Sequence, residues 1–165
     1  MADTRVQLEV EDWVRENWMR EQFGQPFYRN RVQLTSGGVF DFDAVSEDKS
    51  IAACISTSAG KTGGGKFATG KLMKLRSDML FLYLAVGLAR RLLIVIDKEM
   101  HETCLKERSG GRSPKEIEFL LATIPHELHA RLVKAREIAS REVTPTKAKQ
   151  LPDEVLLAGD GTAKA

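Results

Sequence analysis

Asp41 and Asp43 stand two apart in the run Val39-Phe40-Asp41-Phe42-Asp43-Ala44-Val45. In a strand that spacing sets both carboxylates on one face and both phenylalanines on the other. Like charges side by side are costly in a core, so the pair belongs at a solvated face or at a site for a cation or basic group. Downstream, residues 57–76 hold five cations, Lys61, Lys66, Lys71, Lys74 and Arg76, and no acid, among Gly60, Gly63, Gly64, Gly65 and Gly70. Exposed backbone and clustered lysines complement an anion such as phosphate. The plainer alternatives are a solvated lysine face and cross-strand pairing of the aspartates with Arg29 and Arg31.

The elements that must position these residues follow from periodicity. Val6, Val10, Trp13, Val14 and Trp18 recur at helical spacing over 4–23, with Gly24 as terminator. Residues 27–34 and 39–45 flank the turn Thr35-Ser36-Gly37-Gly38 and read as a hairpin, and 50–56 as a third antiparallel strand. Leu72, Leu75, Met79, Leu82, Tyr83 and Val86 predict a helix, apolar nearly all round in its second half and closed by Arg90-Arg91. The wholly apolar run 92–96 suits a strand covered on both faces, joined in parallel through that crossover helix. Asp97 caps a short helix. Ser113-Pro114-Lys115-Glu116 then predicts a helix start, with Ile117, Leu120, Leu121 and Ile124 on one face, a break at Pro125 and a continuation to about Val143. The expected architecture is an α/β domain over 1–143: a mixed four-stranded sheet in 4–97 with a helical extension at 98–143. Prolines, lysines and small residues mark 144–165 as a flexible tail, with 152–157 docking.

The order helix, three strands, helix, strand resembles the core of the PD-(D/E)XK restriction-endonuclease-like superfamily. In that family an aspartate on the second strand and an acid-x-lysine on the third hold a divalent metal and a water. The resemblance implies that Asp43, or Asp41, is the metal-binding and catalytic aspartate, with Mg2+ as cofactor and nucleic acid as partner. Cys54 and Ser56 stand where the acid and lysine belong. Two readings of that departure stay open. In one, the lysine has moved to the following loop or helix, with Lys61, Lys66, Lys71 and Lys74 as candidates, and Glu11 or Glu16 supplies the acid. In the other, the fold binds without cleaving. Lys71 and Lys74 are thus the candidate catalytic lysines, and Lys61, Lys66, Lys71, Lys74 and Arg76 the candidate phosphate contacts. The rival class is a non-enzymatic module whose C-terminal helices, residues 113–143, bind a partner or a second copy.

Other motifs carry less. Ser58-Ala59-Gly60-Lys61-Thr62 lacks the first glycine of a P-loop, which would fall at Ile55. His101 with Cys104, and His126 with His129, each place two metal ligands on a helical face, against a plain reading as surface or capping residues. At 165 residues, 42% hydrophobic and 29% charged, the chain is one ordinary globular domain. Its net charge of +2 leaves polyanion binding to local clusters. Two unpaired cysteines and an N-terminus without an apolar core point to a reduced, cytoplasmic protein. The longest apolar run, 79–89, is too short to span a bilayer.

Overall fold

The structure, a computed structural model, describes residues 4–61 and 65–143. The first helix runs without a break through α1 (Arg5–Trp13), a π-helical turn (Val14–Trp18) and α2 (Met19–Phe23), and ends at Gly24 in the left-handed conformation at φ 68°. The π turn has a packing cause. Val10 and Val14 are buried four residues apart, whereas the next buried apolar residue, Met19, comes five later. One extra residue in the turn keeps all three against the sheet.

Three strands follow as an antiparallel meander, β1 (Phe27–Gln33), β2 (Val39–Ser46) and β3 (Ile51–Ser56). Helix α3 (Thr69–Leu84) crosses over to β4 (Arg90–Val95), which pairs with β3 in parallel, as a crossover requires. After α4 (Lys98–Ser109) the chain adds β5 (Ile117–Leu121), parallel to β4, and closes with α5 (His126–Val143). The sheet order is β1-β2-β3-β4-β5. One apolar layer joins Val10, Val14, Met19, Leu128 and Leu132 to Ala53, Ile55, Leu92 and Ile94, so α1, α2 and α5 cover one face. The other joins Leu75, Met79, Leu82, Met100 and Cys104 to Cys54, Leu93 and Val95, so α3 and α4 cover the opposite face. Leu92 to Val95 are fully buried, and each side chain contributes on the order of 2 kcal/mol.

The sheet has five strands where four are expected, and the fifth replaces a predicted helix. The four apolar residues that would share a helical face are divided: Ile117 enters the α3–α4 layer, whereas Ile124 lies in the other layer and Leu120 packs against it. Ser113 to Glu116 form a turn, with Ile117 N–H donating to Pro114 O. Cap-like residues there are overridden because β4, buried on both faces, needs its second edge paired. The C-terminal helices expected as a partner surface are therefore one sheet strand and one helix, and α5 is tied to α1 by the bidentate pair Arg131–Glu9 at 2.7 Å.

Two smaller expectations also change. The second half of α3 is not buried all round: Leu80 and Tyr83 are about half exposed, since α3 packs on the sheet with its back to solvent. Arg90 and Arg91 begin β4 rather than end the helix, although Arg91 still serves the helix end by donating to Leu82 O, Ala85 O and Leu88 O. The tail at 144–165 lies outside the described residues. No described helix is long and apolar enough to cross a membrane.

Candidate functional site

The site forms where β2 and β3 stop pairing. Their ladder consists of Val45–Ala52 and Ala44–Ala53. Beyond it, Ile55 N–H donates to the side chain of Asp43, Oδ2, at 2.8 Å. On its other edge β2 carries a bulge: from Tyr28 to Asn30 on β1 the partner shifts from Val45 to Phe42. Three steps of β2 against two of β1 leave one extra residue at Asp43–Ala44. Its packing trace is that Phe42 and Val45, three apart, lie in the same apolar layer while Ala44 lies in the other. Arg15, buried in the π turn, donates to Asp43 O at 3.0 Å and pairs with Asp12. Asp43 is thus held through both its main chain and its side chain.

Glu11, one turn ahead on α1, meets this aspartate. Its side chain is 15% exposed, and its pKa is pushed up to about 7, first by burial and then by the Asp43 charge, with Arg29 and Arg15 opposing. Arg15 and Arg29 stand 3.8 and 3.9 Å from Glu11 Oε1, too far to hydrogen-bond, so this buried oxygen has no hydrogen-bond partner among the described residues. Asp43 Oδ1 lies 3.6 Å from Arg29, which is half exposed. A proton on Glu11 relieves the repulsion by donating to Asp43. Glu11 Oε1 thus has no close donor among the described residues.

From the opposite layer α3 brings Lys74 and Asp78, one helical turn apart and paired at 2.9 Å. Burial alone would lower the Lys74 pKa, but Asp78, with Asp43 and Cys54 behind it, raises it on balance. Lys74 stays an ammonium at neutral pH. Asp78 is buried, which raises its pKa against the pull of Lys74. Cys54 is buried too; desolvation, then Asp78 and Asp43, push its thiol well up, so it stays neutral and cannot replace a carboxylate. Ser56 is likewise buried, its Oγ accepting from Ser58 N–H at 3.3 Å.

The structure thus brings Asp43, Glu11 and Lys74 together. Asp41 is exposed and in register with Arg31, and Glu16 is exposed; neither acts on Glu11. The other cations of the segment have separate surroundings. Lys61 pairs with Glu99 at 3.0 Å, Arg76 with buried Glu107 at 2.7 Å, and Lys71 lies toward α5. Lys66 is exposed. His101 Nε2 lies 3.3 Å from Phe119 O and Cys104 is buried; no group of three or more His, Cys, Asp or Glu able to hold a metal occurs among the described residues. Two contributors escape sequence reasoning. Asp78 carries a usable signal, four residues after Lys74 in an otherwise apolar helix face, whereas nothing local marks Arg15 as the clamp on Asp43.

Mg2+, which the sequence resemblance implies, fits these residues in part: Glu11 and Asp43 offer two carboxylates, Glu11 Oε1 without a hydrogen-bond partner among the described residues and Asp43 Oδ1 at 3.6 Å from Arg29, the minimum for an ion that keeps most of its water and takes further oxygens from a phosphate. The described residues do not form an all-protein cage. No protein-family model matches the chain, and neither does any curated protein or solved structure.

Proposed function

We propose that this chain is a nuclease-like protein that engages the phosphodiester backbone of nucleic acid at the Glu11–Asp43 site, in the manner of the PD-(D/E)XK superfamily it resembles. The observation that carries the reading is the contact of two carboxylates where β2 and β3 part, with one of them so reluctant to ionise that it keeps its proton to about pH 7. Such a pair is a place prepared for a cation. The element order of helix, three strands, helix and strand supports the same reading. In this account α1 supplies the acid and α3 the lysine that the third strand lacks, with neutral Cys54 and Ser56 in the vacated positions.

When bound, Mg2+ supplies Lewis acidity toward a phosphate oxygen and acidity to a coordinated water. Glu11, once ionised, and Asp43 would hold the ion, with Asp43 Oδ2 kept in place by the hydrogen bond from Ile55 N–H. Lys74, held charged by Asp78, stabilises negative charge developing on the phosphate.

The test is cleavage of plasmid DNA and of single-stranded DNA and RNA by the purified chain with Mg2+ or Mn2+, against a chelator. Activity should vanish in Asp43→Asn and Lys74→Met while the circular dichroism spectrum is retained. A folded parent protein that cleaves none of these substrates with either metal, or an Asp43→Asn variant that cleaves as well as the parent, would refute the reading.

A further inference from the structure

A second feature lies beside this site and is not used by it. A cavity of about 710 Å3 lies between the segment after β3, α3 and α5, with Lys61, Lys71, Arg136 and Arg141 in its lining and Glu137 as the one acid there among the described residues. Lys61 is already paired with Glu99. Arg136 donates through Nη2 to Thr57 O, but its Nε is buried without a partner among the described residues. A buried N–H of a charged group left unpaired is costly, and here it belongs to a residue lining an open cavity. The acid whose charge acts on both Lys71 and Arg136 is Asp97, and its Oδ2 is committed: it accepts from Gly60 N–H at 2.9 Å and from Met100 N–H at 3.0 Å, where it caps α4. Burial, then Arg136, push the Lys71 pKa down, and burial pushes that of Arg136 down, with Asp97 opposing in both. Among the described residues, the wall therefore holds more positive charge than its neighbours neutralise.

We infer that this cavity binds a phosphate group, with Lys71 and Arg136 as its principal donors and Arg141 adding charge. A tetrahedral oxyanion offers the several acceptors that a guanidinium and an ammonium need, and it removes their mutual repulsion. The cavity also shares elements with the Glu11–Asp43 site. Gln7 in its wall stands one helical turn from Glu11 on α1, and Lys71 stands three residues before Lys74 on α3. One helical turn advances about 5.4 Å. A strand engaged at Asp43 would place a neighbouring phosphate here, a step that rests on the function proposed above; phosphate binding itself does not.

The experiment uses the full chain in chelator, so that no metal is involved, with inorganic phosphate and a short single-stranded oligodeoxynucleotide as probes in titration calorimetry. The parent should bind phosphate saturably at one site. Lys71→Gln should weaken that binding about tenfold or more, and Lys134→Gln, which removes a charge outside the cavity, should not. Should Arg136→Gln fail to fold because it loses its anchor to Thr57, exposed Lys71 still carries the test. Oligonucleotide affinity falling in step with phosphate affinity identifies the ligand as a strand phosphate; loss confined to the free ion identifies it as free phosphate. Asp43→Asn should leave phosphate binding intact, so the cleavage reading can fail while this one stands. Absence of saturable binding by the parent, or equal weakening in Lys71→Gln and Lys134→Gln, overturns the inference.

Discussion

Glu11→Gln isolates the proton at the centre of the candidate site. The folded pKa of Glu11 is about 7 against an ordinary 4.5. Below pH 4.5 both folded and unfolded chains carry the proton, and the site is at its most stable. Between the two values the folded protein holds a proton that the unfolded chain has released, so stability falls as pH rises, by about 1.4 kcal/mol per unit. Above pH 7 the loss is complete at about 3 kcal/mol, the span of the shift multiplied by that slope. Glutamine keeps the shape and supplies an N–H to Asp43 at every pH, and so mimics the protonated state. In urea unfolding with chelator, the variant should match the parent near pH 4 and exceed it near pH 8 by up to about 3 kcal/mol. That figure already includes the opposing pull of Arg29 and Arg15. Added Mg2+ should then narrow the gap at pH 8 by stabilising only the parent. Parallel pH profiles for the two proteins would show that Glu11 does not hold its proton, and the argument for a prepared cation site would go with it.

Three further outcomes follow from other contacts. A Cβ on Gly60 would stand 2.8 Å from Met100 N and 2.9 Å from Glu99 C, both backbone atoms, so Gly60→Ala should cost about 1–3 kcal/mol in urea unfolding; a variant as stable as the parent would mean that the segment after β3 is not clamped on α4. Arg91→Met strips its donors from Leu82 O, Ala85 O and Leu88 O and should destabilise by about 1–3 kcal/mol, read in the same assay. Lys74→Met removes the cation beside buried Asp78, whose pKa should rise further; a carboxyl carbon titration that does not move would place Lys74 away from the site.

Elements whose residues satisfy one local rule were legible in the sequence. The meander, the crossover and the parallel β4 follow from alternation, from a glycine turn at Gly37 and from an apolar run too short for anything but a covered strand. Residues 113–124 were misleading because serine, proline and glutamate at capping positions coincide with apolar residues at helical spacing, and only the unpaired edge of β4 decides against them. The π turn and the β2 bulge were also hidden. Each is one residue inserted into a regular element, and its cause, joint burial of Val14 with Met19 or of Phe42 with Val45, is a property of the layers those residues enter.

Those two insertions bear directly on the site. The π turn presents Arg15 to the main chain of Asp43, and the bulge places Asp43 where the β2–β3 ladder has ended. Past that point no β-partner fills the space between the strands, and side chains from both layers come within reach: Glu11 from α1 on one face, Lys74 and Asp78 from α3 on the other. A strand position such as Cys54 then need not carry the acid itself. The arrangement explains how a buried, neutral thiol and a buried hydroxyl can occupy β3 while charge of both signs still converges on Asp43.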